Sequence, residues 1–172
     1  MKFKYSNKDI TIISNFFKEY IFGFIYHDID AVIDGKANFL AALGLLCYTE
    51  FLGGLISPRD SKNIPKKRFA SFLPYIGKCY VILNKNDKLY DIFRCGLAHE
   101  YFIKRSASIV MYKGKNTRCG IIFKNDHWYF VVEKYFDDFR HGVKKYYNRL
   151  VVERNKKLID NFFATKSINK WI

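Results

Sequence analysis

The sequence has 172 residues, 49% of them apolar and 19% aromatic, a composition that supports one globular domain with a sizeable core. Phe and Tyr occur along the whole chain, which excludes a long, charge-rich disordered segment. The net charge is +14, and residues 101–172 contain 16 of the 30 basic residues but only 6 of the 16 acidic ones. This asymmetry predicts a positive surface that attracts RNA or another polyanion. A Lys-rich composition of the whole chain is the alternative explanation, because 22 of the 30 basic residues are Lys.

Neither secretion nor membrane insertion is predicted. The apolar stretches at residues 20–26 and 44–48 are shorter than the roughly 18 residues of a membrane span. The N-terminal residues lack the apolar core and cleavage site of a signal peptide. No Cys-x-x-Cys spacing occurs, so the cysteines are expected to be reduced thiols. We therefore expect a cytoplasmic protein.

Four helices are predicted in the first hundred residues. Apolar residues recur every three or four positions over residues 8–25 and again over residues 37–55, the spacing of amphipathic helices. Pro65 suits the first turn of a third helix that runs to about residue 83, and Pro74 is expected to kink or split it. A turn at residues 84–87 precedes a fourth helix, which carries Arg94 and His99.

The pattern changes after residue 105. Short apolar runs separated by turn residues predict two or three antiparallel strands at about residues 107–132. A long basic helix is then predicted from about residue 135 to residue 163. The predicted fold class is therefore mainly α, a helical bundle of about five helices with an inserted two- or three-stranded antiparallel β segment, in a single domain spanning residues 1–172.

Metal and cofactor chemistry find little support in the sequence. His27 and Asp28, with Asp30 and Asp34 nearby, could gather a metal ion, but no His precedes them and helix-end capping is the more typical role of such residues. No phosphate-binding or dinucleotide-binding glycine motif occurs, so no cofactor is predicted. Cys95 lacks an orienting Asn or Asp and is interpreted as a core thiol.

The segment from Tyr90 to Phe102 contains Arg94 followed five positions later by His99. This spacing, late in a predicted helix, resembles the Arg-x4-6-His signature of HEPN domains. The resemblance covers the helical residues from about 8 to 103 and the last helix, and it leaves the strands unexplained. It implies a helical bundle of four or five helices and a metal-independent endoribonuclease. Active members often have a polar residue after the Arg, where this chain has Cys95, so a non-catalytic module that binds nucleic acid or protein is the alternative.

The resemblance also implies roles for individual residues. Cleaving RNA without a metal requires a base for the 2′-hydroxyl proton, an acid for the leaving 5′-oxygen and a cation on the phosphate. His99 suits the proton transfer and Arg94 suits the phosphate, so both are expected to be catalytic. Glu100 and Tyr101 are candidates for orienting His99 or contacting phosphate, although Glu100 could instead pair with Lys104.

An ideal α-helix does not aim the two motif residues at one point. At ~100° per residue, Arg94 and His99 point about 140° apart. HEPN enzymes bring the motifs of two subunits into one cleft, so the resemblance implies a homodimer. A toxin-like or defensive role would add a cognate antitoxin to its partners.

Overall fold

The structure, a computed structural model, describes residues 5–57, 64–100, 107–111 and 117–165, and at positions 99 and 100 it describes the backbone only. Its elements in chain order are seven α-helices, two π-helical segments, a short 3₁₀ turn and three strands. The mainly α bundle with an inserted β segment that the sequence predicts is confirmed. The described residues contain more and shorter helices than the predicted five.

The first helical stretch is longer than predicted. It consists of α1 (Asn7–Phe16), a π-helical segment (Phe17–Ile25) and α2 (Tyr26–Asp34). Ser6 begins it with a capping box, in which its hydroxyl accepts from the backbone N–H of Asp9 and the Asp9 carboxylate accepts from the backbone N–H of Ser6. The helix continues past residue 25 because Ile29 is buried in the core. The predicted end therefore falls nine residues short.

Helix α3 (Asn38–Ile56) lies at the centre of the bundle. It contacts α2, α4, α6, α7 and β1 as well as the helix that carries Arg94. Among the described helices, α3 is long and apolar enough to cross a membrane by length and composition, with a mean hydropathy of 1.8, and half of that window is buried inside the protein. A core helix passes the same test, so the absence of a membrane span stays a prediction.

The predicted third helix is split. Helix α4 (Ile64–Ile76) contains Pro74 in its last turn, Gly77 is extended, and α5 (Lys78–Leu83) follows. The break therefore comes three residues after the proline. A 3₁₀ turn (Lys85–Asp87) then leads into the π-helical segment Tyr90–Glu100, here called the motif helix.

The inserted sheet differs from the prediction in one pairing. Strands β2 (Ile121–Lys124) and β3 (His127–Val131) form the expected antiparallel hairpin, with Asn125 and Asp126 at positive φ in its turn. Strand β1 (Ala107–Val110) runs parallel to β3, because the sheet order is β1-β3-β2. Insertion of β3 between the other two strands replaces the hairpin that consecutive strands would have formed. The sheet is therefore mixed.

The predicted long C-terminal helix is also two helices. Helix α6 (Val132–Val151) packs its buried aromatic face on α3 and α4. Arg154 then takes a positive φ of 50°, and the side chain of Asn155 caps α7 (Lys156–Ala164) by accepting from the backbone N–H of Leu158. This break turns α7 back onto α3, where Phe162 enters the core.

Candidate functional site

Arg94 is held by an ion pair with Glu50 of α3. Its Nε donates to Oε2 of Glu50 at 2.9 Å. Only 18% of the Arg94 side chain and 17% of the Glu50 side chain is exposed, so the pair is partly shielded from water. Within the described part of the chain, the guanidinium of Arg94 has no second hydrogen-bond partner.

The ion pair lies on the wall of a cavity of about 250 Å³, called here the Arg94 cavity. Residues from α3, α4, the motif helix and the end of α7 line it: Cys47, Glu50, Phe51, Gly54, Arg68, Arg94 and Thr165. Two guanidinium groups and one carboxylate are the charged groups among them. The cavity is therefore cationic.

Arg68 reaches the cavity because α3 and α4 approach each other closely. A Cβ added at Gly53 would lie 1.6 Å from the backbone carbonyl oxygen of Arg68, so only glycine fits there. A Cβ at Gly54 would lie 3.4 to 3.8 Å from three side-chain atoms of Arg68, so the guanidinium rests against Gly54. The Gly53-Gly54 pair thus determines the position of Arg68.

Two titratable groups near Arg94, Cys47 and Tyr90, have raised pKa values. Burial raises the pKa of the Cys47 thiol, an effect that the nearby Arg94 only partly opposes. Burial, with the charge of Glu50, raises the pKa of Tyr90 to about 12. Burial alone would lower the pKa of Arg94, but Cys47 and Glu50 raise it and the net shift is upward. Arg94 is therefore charged, and the raised pKa of Cys47 disfavours its thiolate form.

The geometry of the motif helix differs from the ideal α-helix assumed for the sequence. Residues Tyr90–Glu100 are π-helical, with hydrogen bonds from each residue to the fifth one along the chain. With roughly 4.4 residues per turn, positions five apart lie about 50° from each other around the axis. Positions 94 and 99 are therefore separated by a smaller angle than the 140° of an ideal α-helix, and they lie nearer to one face of the motif helix.

Arg94 is the one predicted site residue whose side chain the structure describes. The side chains of His99 and Glu100, and all of Tyr101, lie outside the described residues. Which of them approach Arg94 stays a prediction.

Two acidic residues near His27, Asp28 and Asp30, contact side chains of other helices. Asp28 accepts a hydrogen bond from Tyr48 at 3.4 Å, and Asp30 pairs with Arg140 at 2.6 Å. No group of three or more His, Cys, Asp or Glu side chains that could hold a metal ion occurs in the part of the chain that the structure describes. All four cysteines are free thiols.

Two residues of the cavity, Glu50 and Arg68, were not predicted as site residues from the sequence. Glu50 did carry a signal, since it is the only charged residue of α3, and a charge in an apolar core helix requires a partner. Arg68 carried none, because it follows Lys66 and Lys67 in what appears as an ordinary basic segment.

No protein-family model, curated protein or solved structure matches this chain. Support for a function therefore comes from the residues of the Arg94 cavity and from the spacing of Arg94 and His99.

Proposed function

We propose that this protein is a metal-independent endoribonuclease of the HEPN type that cleaves RNA by attack of a 2′-hydroxyl. Arg94 and His99 are the catalytic residues, and Glu100 and Tyr101 support them. The observation that carries the proposal is the placement of Arg94: a charged guanidinium, fixed through one nitrogen, on the wall of a cationic cavity.

Arg94 has N–H donors that remain available to a substrate. A guanidinium has five N–H donors, and Glu50 accepts from the one on Nε. The terminal amino groups have no partner among the described residues, and they present the fork that matches two phosphate oxygens. Fixing the Nε side by an ion pair reduces the side-chain entropy that is lost when phosphate binds. Arg94 thus suits the stabilisation of charge that builds on the phosphate in the transition state.

The reaction requires two proton transfers. The 2′-oxygen attacks phosphorus as a base takes its proton, the bond from phosphorus to the 5′-oxygen breaks, and an acid protonates that oxygen. The products are a 2′,3′-cyclic phosphate and a free 5′-hydroxyl. His99 is the one residue of the motif with a pKa suited to these transfers near neutral pH.

The requirement for two proton-transfer groups, rather than the helix angle, is the reason to propose a homodimer. The π-helical backbone removes the 140° separation as a reason for dimerisation. One motif still supplies one histidine, whereas the reaction uses a base and an acid. Two motifs in one cleft supply both, so we propose that the active form is a dimer.

Cleavage of single-stranded RNA in the presence of EDTA tests the proposal. We expect 2′,3′-cyclic phosphate ends, and we expect cleavage to fall by a factor of about 100 or more in Arg94→Ala and His99→Ala. The exposed Arg118 provides the matched control, and Arg118→Gln is expected to cleave normally. Activity that requires a divalent cation, or that survives both substitutions, would contradict the proposal. Light scattering during gel filtration tests the dimer.

A non-catalytic nucleic-acid-binding or protein-binding module is the second candidate. The observation that favours it is the Glu50 carboxylate, which competes with phosphate for Arg94. A nucleic-acid-binding module predicts that the protein shifts RNA in a gel without cutting it, and that the shift weakens steeply between 50 and 200 mM salt as expected for phosphate contacts. A protein-binding module predicts neither a shift nor cleavage. For the endoribonuclease and the nucleic-acid-binding module we propose a cytoplasmic protein with RNA as its partner, and a toxin-type role would add an antitoxin.

A further inference from the structure

Arg68 stands apart from the other arginines that the structure describes. Arg94 pairs with Glu50, Arg140 with Asp30 and Arg149 with Glu153. Arg154 donates to Asn7, and Arg118 is exposed to water. Nε of Arg68 and Nε of Arg140 are both buried without a hydrogen-bond partner. Arg140 nevertheless pairs with Asp30 through a terminal nitrogen, whereas the partly buried Arg68 has no ion pair with any described residue.

An unpaired buried donor on a cation is unfavourable, because the group loses its water and gains nothing in return. Buried polar groups of native proteins are nearly always satisfied, and exceptions commonly mark a bound ligand, ion or water. The one carboxylate on the cavity wall belongs to Glu50, which already accepts from Arg94 at 2.9 Å. One carboxylate does not neutralise two guanidinium groups. Among the described residues of the cavity wall, one guanidinium group is therefore left without a carboxylate partner.

The position of Arg68 is also fixed by close packing between α3 and α4. Gly53 lets the two helices approach until its Cα lies against the Arg68 backbone, and the Arg68 side chain packs against Gly54. The close approach therefore requires glycine at position 53. Gly53 lies in the last turn of α3, which ends at Ile56, and the contact that it permits holds the Arg68 backbone of α4 against this turn.

We propose that Arg68 is a second phosphate-binding arginine, which binds a phosphate group of an RNA strand in the Arg94 cavity beside Arg94. The ligand class rests on the proposed function, whereas the need for an anion rests on the cavity itself. A phosphate diester has two non-bridging oxygens that share one negative charge, so it supplies acceptors to both guanidinium groups and balances the one excess positive charge. Arg68 acts in binding and takes no part in proton transfer.

The test compares RNA affinity and its salt dependence between variants. A short fluorescein-labelled single-stranded RNA is titrated with His99→Ala protein, which keeps the strand intact, and with the same protein carrying Arg68→Gln. We expect Arg68→Gln to weaken binding about tenfold and to reduce the slope of log K against log salt by about 0.7, the value for one lost phosphate contact on a single strand. Arg118→Gln, the same change at an exposed position, is expected to do neither.

A stability measurement separates loss of a contact from loss of the fold. Arg68→Met removes the unpaired cation but keeps a long side chain, so we expect its melting temperature to equal or exceed that of the unsubstituted protein. A structural arginine would instead leave Arg68→Met less stable.

The outcomes distinguish this inference from the endoribonuclease itself. If the unsubstituted protein cuts RNA and Arg68→Gln binds RNA as tightly as its parent, the inference is overturned and the proposed function stands. If no cleavage occurs but Arg68→Gln still loses affinity and slope, the phosphate site stands and the endoribonuclease does not. Equal losses in Arg68→Gln and Arg118→Gln would overturn the inference, because the effect would then come from overall charge.

Discussion

Arg94 and Glu50 form an ion pair of 2.9 Å between the motif helix and the central helix α3. The residue that the signature singles out is thus bound to the only charged side chain of α3. Glu50 has two opposing effects on a phosphate ligand. It orients the guanidinium, and its charge repels the anion.

Replacing Glu50 separates these two effects. Glu50→Gln keeps an oxygen that accepts from Arg94 and removes the charge, so we expect RNA affinity to rise about fivefold, the effect of one unit charge at close range in water. Glu50→Ala leaves the partly buried guanidinium unpaired, so we expect the free energy of unfolding to fall by about 1–3 kcal/mol and cleavage to decrease. Fluorescence anisotropy and urea denaturation measure the two quantities. Weaker RNA binding by Glu50→Gln would show that the charge of Glu50 does not oppose the ligand.

The two neighbouring glycines of α3 are expected to differ sharply when each is replaced by alanine. Gly53→Ala places a Cβ 1.6 Å from a backbone oxygen of α4, and backbone cannot move aside as a side chain can. We expect a loss of at least about 3 kcal/mol in the free energy of unfolding. Gly54→Ala makes an ordinary contact of 3.4 Å with Arg68, and the better helix propensity of alanine is expected to leave stability unchanged or raise it by up to ~1 kcal/mol. Similar stabilities of the two variants in urea would contradict the close helix contact.

The capping box of α1 predicts a dependence of stability on pH. Hydrogen bonds from the Ser6 side chain and then its backbone lower the pKa of Asp9 below 3.8. Because the folded state holds this pKa below its unfolded value, the stabilisation is fully present above the unfolded value and is lost as pH falls through the folded one. We therefore expect Asp9→Asn to be less stable at pH 7, and the difference to shrink below about pH 4.

Two further variants check the assignment of this effect to the cap. Ser6→Ala is expected to cost about 1 kcal/mol at pH 7, since it removes the hydroxyl that accepts from the Asp9 backbone. Asp34→Asn at the far end of α2 changes the same charge outside the cap, and no such loss is expected there. Thermal melting measures the stability of Asp9→Asn and of the parent between pH 7 and pH 2. A difference in stability that stays constant over this range would contradict the interpretation.

Tyr80 joins α5 to the inserted sheet and to α6. Its hydroxyl accepts from the backbone N–H of Gly120 at 2.7 Å and donates to Oδ2 of Asp138 at 2.7 Å. Tyr80→Phe leaves a buried N–H without a partner, so we expect a loss of about 2 kcal/mol in the free energy of unfolding. Tyr75→Phe is the matched control, because the Tyr75 hydroxyl makes one exposed contact of 3.4 Å with Arg149, and we expect a change within about 0.5 kcal/mol. Equal stabilities of the two variants would show that the Tyr80 bridge contributes nothing.

Local patterns in the sequence predicted the class of the fold and the type of most elements. Helical periodicity depends on residues three and four positions apart, so α1, α3, α4, α6 and the motif helix were all anticipated. The β2–β3 hairpin was anticipated as well, because Asn125 and Asp126 are residues that tolerate its turn. Features that depend on a single backbone angle were missed, such as the break at Arg154 that separates α6 from α7.

The sequence by itself determined that a basic, mainly helical protein carries Arg94 and His99 on one helix, because charge, composition and helix spacing are local properties. Only the tertiary structure decided what surrounds Arg94. Glu50 lies 44 residues before it in the chain, and Arg68 reaches the same cavity only because Gly53 lets α4 approach α3. Packing between distant helices depends on the shapes of whole surfaces. The spacing of residues along one helix does not contain that information.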